Sequence, residues 1–355
     1  MDKYKIDSHK LMYHPDRVSN WIKGKQIYPI YMEVSPAGSC NHRCIYCGLD
    51  FMKYQARFLD TLIFKKRLAE MGRLGVKSIM YAGEGEPFLH KDIADIIMTT
   101  NKSGIDAAVT TNGVLFNEKM AELTLPYLSW IKISINAAKA ATYARIHRTV
   151  PQDFDKVIRN MAYAAKIRRK SGYSCTLGMQ IILLPDNYKE VALLAKKAKA
   201  IGMDYLVVKP YSQHLLSKTR IFKDIKYERY LDLSEKLKKL NSKYFNVIFR
   251  MHAMRKWDEP ERNYKHCLGL PFWAYIDAGG NVWACSMYLT SKRFCLGNIY
   301  KDSFKDIWES RKHSRLNCWA AGQLNTQRCR VNCRMDEINR HLWDLTHPSK
   351  HVNFI

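Results

Sequence analysis

From Pro29 to Pro210 the chain alternates short β-rich runs with amphipathic stretches, and few architectures accept that order. The candidate strands are Ile30–Val34, Ser78–Ala82, Asp106–Thr111, Trp130–Ile135, Thr176–Leu184 and Tyr205–Lys209. Between them lie helical patterns at Thr61–Leu74, Asp92–Ser103, Phe154–Lys170 and Tyr188–Ile201. In the last of these, Val191, Leu194, Ala195 and Ala198 form one apolar stripe with lysines opposite. Parallel βα units wind right-handedly into a sheet or a barrel, and six units fall short of a complete eight-stranded barrel. The expected class is α/β, with an open, partial (β/α)6 TIM-like barrel over residues 29–210 behind a short extension, residues 1–28.

After Pro210 the pattern changes. Residues 211–260 read as a linker, with one helix at Tyr227–Asn241 and a strand near Phe245–Arg250. Residues 261–355 read as a small Cys-rich α+β domain. A hairpin of Trp273–Asp277 and Val282–Ala284 turns through Ala278-Gly279-Gly280-Asn281, and two short helices follow near Ser303–Arg311 and Asp336–Leu345. No internal repeat or low-complexity segment interrupts the 355 residues. No apolar run approaches the ~20 residues a membrane span needs, and no signal peptide is visible, so a cytoplasmic location without membrane association is expected.

Ten cysteines are distributed unevenly: Cys40, Cys44 and Cys47 within eight residues, Cys175 alone, and six in the last quarter. Clustered thiols in a reducing compartment read as metal or redox sites rather than disulfides. Cys40-x3-Cys44-x2-Cys47 directly follows the first strand. Three thiolates at this spacing can hold three irons of a cubane and leave the fourth iron open to a chelating ligand. The other readings are a zinc site, with His42 close enough to serve as fourth ligand, or unligated buried thiols.

On these residues the chain resembles the radical S-adenosylmethionine (SAM) superfamily. Tyr46 occupies the aromatic position before the third cysteine, which in that family lies against adenine. Ala82-Gly83-Glu84-Gly85-Glu86-Pro87 is similar to the family's Gly-Gly-Glu-Pro stretch, which holds the methionine amino group, with Glu84 in place of a glycine. Thr110-Thr111-Asn112-Gly113 ends the third strand, and Ser134-Ile135-Asn136 ends the fourth, where the family binds ribose and carboxylate. The resemblance thus implies SAM contacts at Tyr46, Gly83, Gly85, Glu86, Pro87, Asn112, Ser134 and Asn136. Read on their own terms, Gly83 and Gly85 allow a ligand to approach the backbone, and the Glu86 carboxylate can accept from an ammonium group.

Toward the C-terminus, Cys267-x12-Gly280-x4-Cys285 and Cys329-x3-Cys333 supply four more thiolates. They resemble the auxiliary-cluster modules called SPASM and twitch domains. The full SPASM pattern has seven cysteines and usually two clusters; here Gln323 stands in place of one of the cysteines expected before Cys329. One auxiliary 4Fe-4S cluster on Cys267, Cys285, Cys329 and Cys333 is expected, beside the 4Fe-4S cluster of Cys40, Cys44 and Cys47. A structural zinc is the other reading, and Cys295 or Cys318 can replace one of the four. Otherwise Cys295 and Cys318 are candidate hydrogen-atom donors, and Cys175 is a small buried hydrophobe.

Charge adds a further constraint. Lys+Arg number 58 against 33 Asp+Glu, a surplus of 25. Much of it belongs on solvated helix faces such as Lys196-Lys197 and Lys238-Lys239. Arg145, His147 and Arg148 follow the fourth strand and Lys209 ends the sixth, so they are expected at the barrel mouth. Arg148 is assigned to SAM, and Arg145 and Lys209 to an anionic substrate. Aromatics are not interleaved with the basic runs, which disfavours nucleic acid.

The resemblance implies reductive cleavage of SAM to a 5′-deoxyadenosyl radical, fed by an external reductant such as flavodoxin or ferredoxin. The radical would abstract a hydrogen atom from an anionic small molecule, a nucleotide or sugar derivative, giving oxidation, epimerisation or decarboxylation. A peptide-modifying maturase is the second reading, although 28 residues before the first strand are short for a peptide-recognition domain. A non-catalytic iron–sulfur or zinc nucleic-acid-binding protein is the third. A molybdopterin-pathway GTP cyclase would be expected to end in Gly-Gly, whereas the sequence ends Asn353-Phe354-Ile355.

Overall fold

The computed structural model describes residues 4–6 and 8–354. Ten strands form one sheet in the order β10-β9-β8-β1-β2-β3-β4-β5-β6-β7. They are β1 Tyr31–Val34, β2 Ser78–Tyr81, β3 Asp106–Thr111, β4 Leu128–Ser134, β5 Thr176–Ile182, β6 Tyr205–Lys209, β7 Asn246–Phe249, β8 Trp273–Ile276, β9 Asn281–Trp283 and β10 Cys295–Asn298. The first seven run parallel, each beside the next in sequence, with helices in the crossovers. All six expected barrel strands are present, and β7 adds a seventh from the stretch read as linker.

The boundary drawn near residue 261 does not interrupt the sheet. Strand β8 pairs in parallel with β1, Tyr31 opposite Trp273 and Val34 opposite Ile276, and β9 and β10 continue antiparallel from it. The Cys-rich segment is therefore built onto the free edge of β1, the strand that leads into the cysteine triplet.

Side-chain alternation sorts the strands into two faces. Met32, Val34, Ile131, Ile133, Leu206 and Val208 are fully buried in the large core between sheet and helices. The opposite face lines the barrel interior. There Met80, Ala82 and Ala108 form a small cluster with Tyr31 and Trp130, and Tyr205, Val207 and Ile248 form another against Tyr4 and Ile6.

Two helical expectations are modified. The pattern at 227–241 divides into a 3-10 turn, Glu228–Tyr230, and a helix, Leu233–Lys238. Tyr227 is fixed at both ends, its N–H donating to the Asp258 carboxylate and its hydroxyl to the Leu183 carbonyl, and this pins the first turn. The expected helix near 303–311 is the shorter Phe304–Trp308, and an unanticipated helix, Arg311–Gly322, follows it, because Ser303 and Ser310 each cap a separate N-terminus.

Candidate functional site

The triplet lies in the loop after β1, at the C-terminal end of the parallel strands where ligands bind in such sheets. Backbone bonds fix the loop on both sides. The Glu86 N–H donates to the Ser39 carbonyl, while Arg43 and Ile45 N–H groups donate to the carbonyls of His147 and Ile146 at the end of helix Ala140–His147. Asn112 adds a side-chain tie, its amide donating to Asn41 Oδ1 at 2.7 Å.

Each triplet thiol is half-buried. Burial pushes the Cys40 thiol up to about 12, and it raises Cys44 and Cys47 as well. The thiols lie near enough for charge on one to raise the others. Such a set keeps its protons without metal and exchanges them for iron when a cluster binds, so the donor chemistry fits a cluster. Cys44 Sγ lies 3.2 Å from His147 Nδ1. His147 Nε2 lies 3.0 Å from the Ile135 carbonyl, which assigns the proton to Nε2 and leaves Nδ1 to accept from the thiol. Burial, with His42 adding to it, lowers His147 to about 3, so it is neutral. The donor atoms of His42, Cys44 and His147 lie within 4.8 Å of one another, while His42 Nε2 also faces Asp153 at 3.4 Å.

The Gly83–Pro87 turn differs in detail from its sequence reading. A Cβ on Gly85 would lie 2.2 Å from the Ser39 carbonyl oxygen and 2.3 Å from that of Ala37. A Cβ on Gly83, whose φ is +116°, would lie 2.5 Å from the Tyr275 hydroxyl. Both glycines therefore make room for neighbouring protein: Gly85 for the triplet loop and Gly83 for β8. The Glu86 carboxylate, expected to meet an ammonium group, accepts from Thr111 Oγ1 at 2.5 Å and from the N–H groups of Asn112 and Phe88 at 2.8 and 3.1 Å. It is a brace between the turn of Pro87 and the end of β3. Glu84 is buried, accepting from the Ala278 N–H at 2.7 Å and pairing with Arg57 at 2.9 Å.

At the end of β4, Ser134 Oγ accepts from Gln180. Asn136 is fully buried at φ +53°; its amide donates to the Tyr46 hydroxyl and its Oδ1 accepts from the Ile182 N–H at 2.7 Å. Tyr46 is thus fastened to the strand ends. Arg145 is exposed and pairs with Asp186 at 3.5 Å, and Arg148 is exposed with φ +50°. The expected basic mouth made with these two arginines is not what the structure assembles. Instead Lys132 on β4 and Lys209 on β6 share the inner strand face, and Lys209 lies within electrostatic reach of Lys132, of Arg250 after β7, and of Arg330 and the exposed Arg334 beside Cys329 and Cys333. Lys132 was legible in principle, two residues before Ser134 and on the same strand face; Arg330 and Arg334 come from far along the chain.

Cys267, Cys285, Cys329 and Cys333 line a single cavity with Leu270, Met287 and Leu324. Burial raises Cys267 to about 12 and raises Cys285 and Cys329 too, the same chemistry as in the triplet. Asn339 Nδ2 and the Tyr288 hydroxyl each lie 3.6 Å from a thiol, Cys267 and Cys329 respectively. Cys295 sits on the outermost strand with its thiol toward the Gly297 carbonyl, and Cys318 is exposed on helix Arg311–Gly322. Neither lines that cavity or contacts the triplet, so the structure does not gather them where a hydrogen donor would act. Cys175 is buried in the core, as expected.

These features define a radical-generating barrel with an appended cysteine module, and comparison with known proteins agrees. Residues 34–198 match the radical SAM superfamily, and residues 267–334 match the SPASM iron–sulfur cluster-binding domain. The chain is a radical SAM superfamily enzyme with a C-terminal SPASM domain. Its cofactors are 4Fe-4S clusters and SAM, and like radical SAM enzymes generally it needs a reductant. It is 25% identical over 312 residues to the tungsten-containing aldehyde ferredoxin oxidoreductase cofactor-modifying protein of Pyrococcus furiosus, covering 80% of this chain and 82% of that one. A GTP 3′,8-cyclase of Chlorobaculum tepidum is 30% identical over 120 residues, 33% of this chain and 36% of the cyclase. The crystal structure of Streptococcus suis SuiB shares the fold at TM-score 0.67 and 17% identity, over 87% of this chain and 72% of SuiB. Among the described residues no helix is long and apolar enough to cross a membrane.

Proposed function

We propose that this enzyme abstracts a hydrogen atom from an anionic small metabolite, a nucleotide or sugar derivative, held inside the barrel. The observation that carries the reading is the pair Lys132 and Lys209, both within the barrel and neither paired with a carboxylate among the described residues. In this reading Cys40, Cys44 and Cys47 hold the cluster that binds SAM, and Cys267, Cys285, Cys329 and Cys333 hold one auxiliary cluster. When bound, the first cluster and SAM supply the 5′-deoxyadenosyl radical. The chain's own residues do the rest. Asn136 orients Tyr46, Asn112 and Gly85 seat the triplet loop, and the lumen lysines hold the substrate by its negative charge. The oxygen-sensitive thiolates suit the cytoplasm.

The test uses a deuterium-labelled metabolite extract separated by anion exchange, incubated with reconstituted enzyme, SAM and reductant. The expected outcome is 5′-deoxyadenosine carrying deuterium only with the strongly retained small-molecule fractions. Deuterium transfer from the peptide fraction alone would replace this reading with that of a peptide-modifying enzyme.

A further inference from the structure

Among the described residues, Lys132, Lys209 and Arg330 carry positive charge on the barrel side of the sheet and its auxiliary loop with no carboxylate paired to them. Lys209 feels the charges of Lys132, Arg250, Arg334 and Arg330, and Lys132 those of Arg334 and Arg250, with Glu33 on β1 as a described carboxylate near Lys132. Glu33 is occupied, pairing with Arg334 at 2.8 Å, while the same guanidinium donates to the Tyr31 hydroxyl at 3.1 Å. Arg250 also has an interaction of its own. Among the described residues, no carboxylate pairs with Lys132, Lys209 or Arg330. Lys132 has the Trp130 ring 5.3 Å away, and Arg330 Nε is buried with no acceptor. On the same inner face, Gln180 donates to Ser134 but its Oε1 is buried with no donor.

Like charges gathered at partly buried positions cost free energy unless an anion joins them. A phosphate monoester carries about −1.5 to −2 charge near neutral pH and three strong acceptor oxygens, and a guanidinium fork matches its geometry. We propose that the substrate is a phosphate monoester whose phosphoryl group is held by Lys132, Lys209 and Arg330, so that the Cys329–Cys333 loop forms one wall of the substrate site. This rests on the reading of the chain as an enzyme acting on an anionic small molecule. It also explains the placement of Arg330: a loop that holds an auxiliary cluster reaches the substrate through its own side chain. The lysines' electrostatics agree. Burial, followed by Arg334 and Arg250, lowers Lys132 to about 8, and burial with the surrounding cations holds Lys209 well below the ordinary ammonium range. A bound dianion would reverse both shifts.

The test is equilibrium binding of three probes, glycerol 3-phosphate, inorganic phosphate and malonate, to the anaerobically reconstituted holoenzyme with SAM. The expected result is that glycerol 3-phosphate binds at least as tightly as inorganic phosphate and at least tenfold tighter than malonate. Affinity for it should fall at least tenfold in Lys209→Gln and Arg330→Gln but stay unchanged in Lys196→Gln, on a solvated helix. Thermal unfolding without added anions controls for folding: Lys209→Gln should melt no lower than wild type, because it removes a repelling charge. Malonate binding as tightly as the phosphates, exclusion of the monoester, or equal binding by well-folded Lys209→Gln and Arg330→Gln would each overturn the proposal. Formation of 5′-deoxyadenosine in the same preparations reports separately on the underlying enzyme reading.

Discussion

Asp336 shows how single side chains hold the cysteine module in place. Its carboxylate, almost fully buried, meets Lys256 at 2.6 Å, the Tyr264 hydroxyl at 2.7 Å and Arg340 at 3.3 Å. Burial pushes its pKa up, but these partners outweigh it and hold the carboxyl below the usual range. The stabilisation is therefore complete above the unfolded carboxylate value of about 3.9 and is lost as pH falls through the lower folded value. Asp336→Asn leaves Lys256 and Arg340 short of a buried partner and is expected to destabilise by about 3 kcal/mol at pH 7. In urea unfolding the gap from wild type should persist to pH 5 and shrink below about pH 4; a gap independent of pH would contradict this account. Gly85 is the second residue-scale case. In Gly85→Ala the new Cβ meets backbone oxygens that cannot move aside, which costs about 3 kcal/mol and displaces the triplet loop. That variant should lose the iron bound at the triplet, whereas Gly322→Ala, with open space around it, should keep it.

Among the elements, the joint between barrel and cysteine module runs through Glu84, the residue that departs from the family's glycine. Its carboxylate ties the turn after β2 to the Ala278 N–H beyond β8, while Arg57 pairs with the other oxygen. Glu84→Gly restores the family stretch but leaves a buried N–H without its acceptor, an expected loss of about 2 kcal/mol in chemical denaturation. Equal stability of variant and wild type would show the tie to be dispensable. The six barrel strands, the hairpin and both cysteine sets were legible because period-two alternation, turn residues and thiol spacing are local signals. The pairing of β8 with β1 was not, since more than two hundred residues separate them and nothing local encodes the register. The protein contacts that Gly83, Gly85 and Glu86 make were not legible for a related reason. A motif shows which residues gather, not whether they face a ligand or one another.

Across the whole molecule, the surplus of 25 positive charges has two uses. Most lies on solvated helices, but a small group is drawn inward from β4, β6, the end of β7 and the auxiliary loop. Sequence reading expected Lys209 at the mouth with Arg145, both toward the substrate, and Arg148 beside them toward SAM. The structure pairs Arg145 with Asp186 and supplies Lys132, Arg330 and Arg334 in their place. This arrangement links the two cysteine sites through a short chain of contacts: β1 leads to the triplet, Glu33 on β1 pairs with Arg334, and Arg334 directly follows Cys333. Two cuboidal clusters predict about eight irons per chain. The most direct test is to incubate the anaerobically reconstituted protein and its Cys40/Cys44/Cys47 triple alanine variant with SAM and dithionite, measuring 5′-deoxyadenosine and iron together. The account predicts 5′-deoxyadenosine and about eight irons for wild type, and none with about four irons for the variant. A triple variant that still cleaves SAM, or that retains all eight irons, would contradict it.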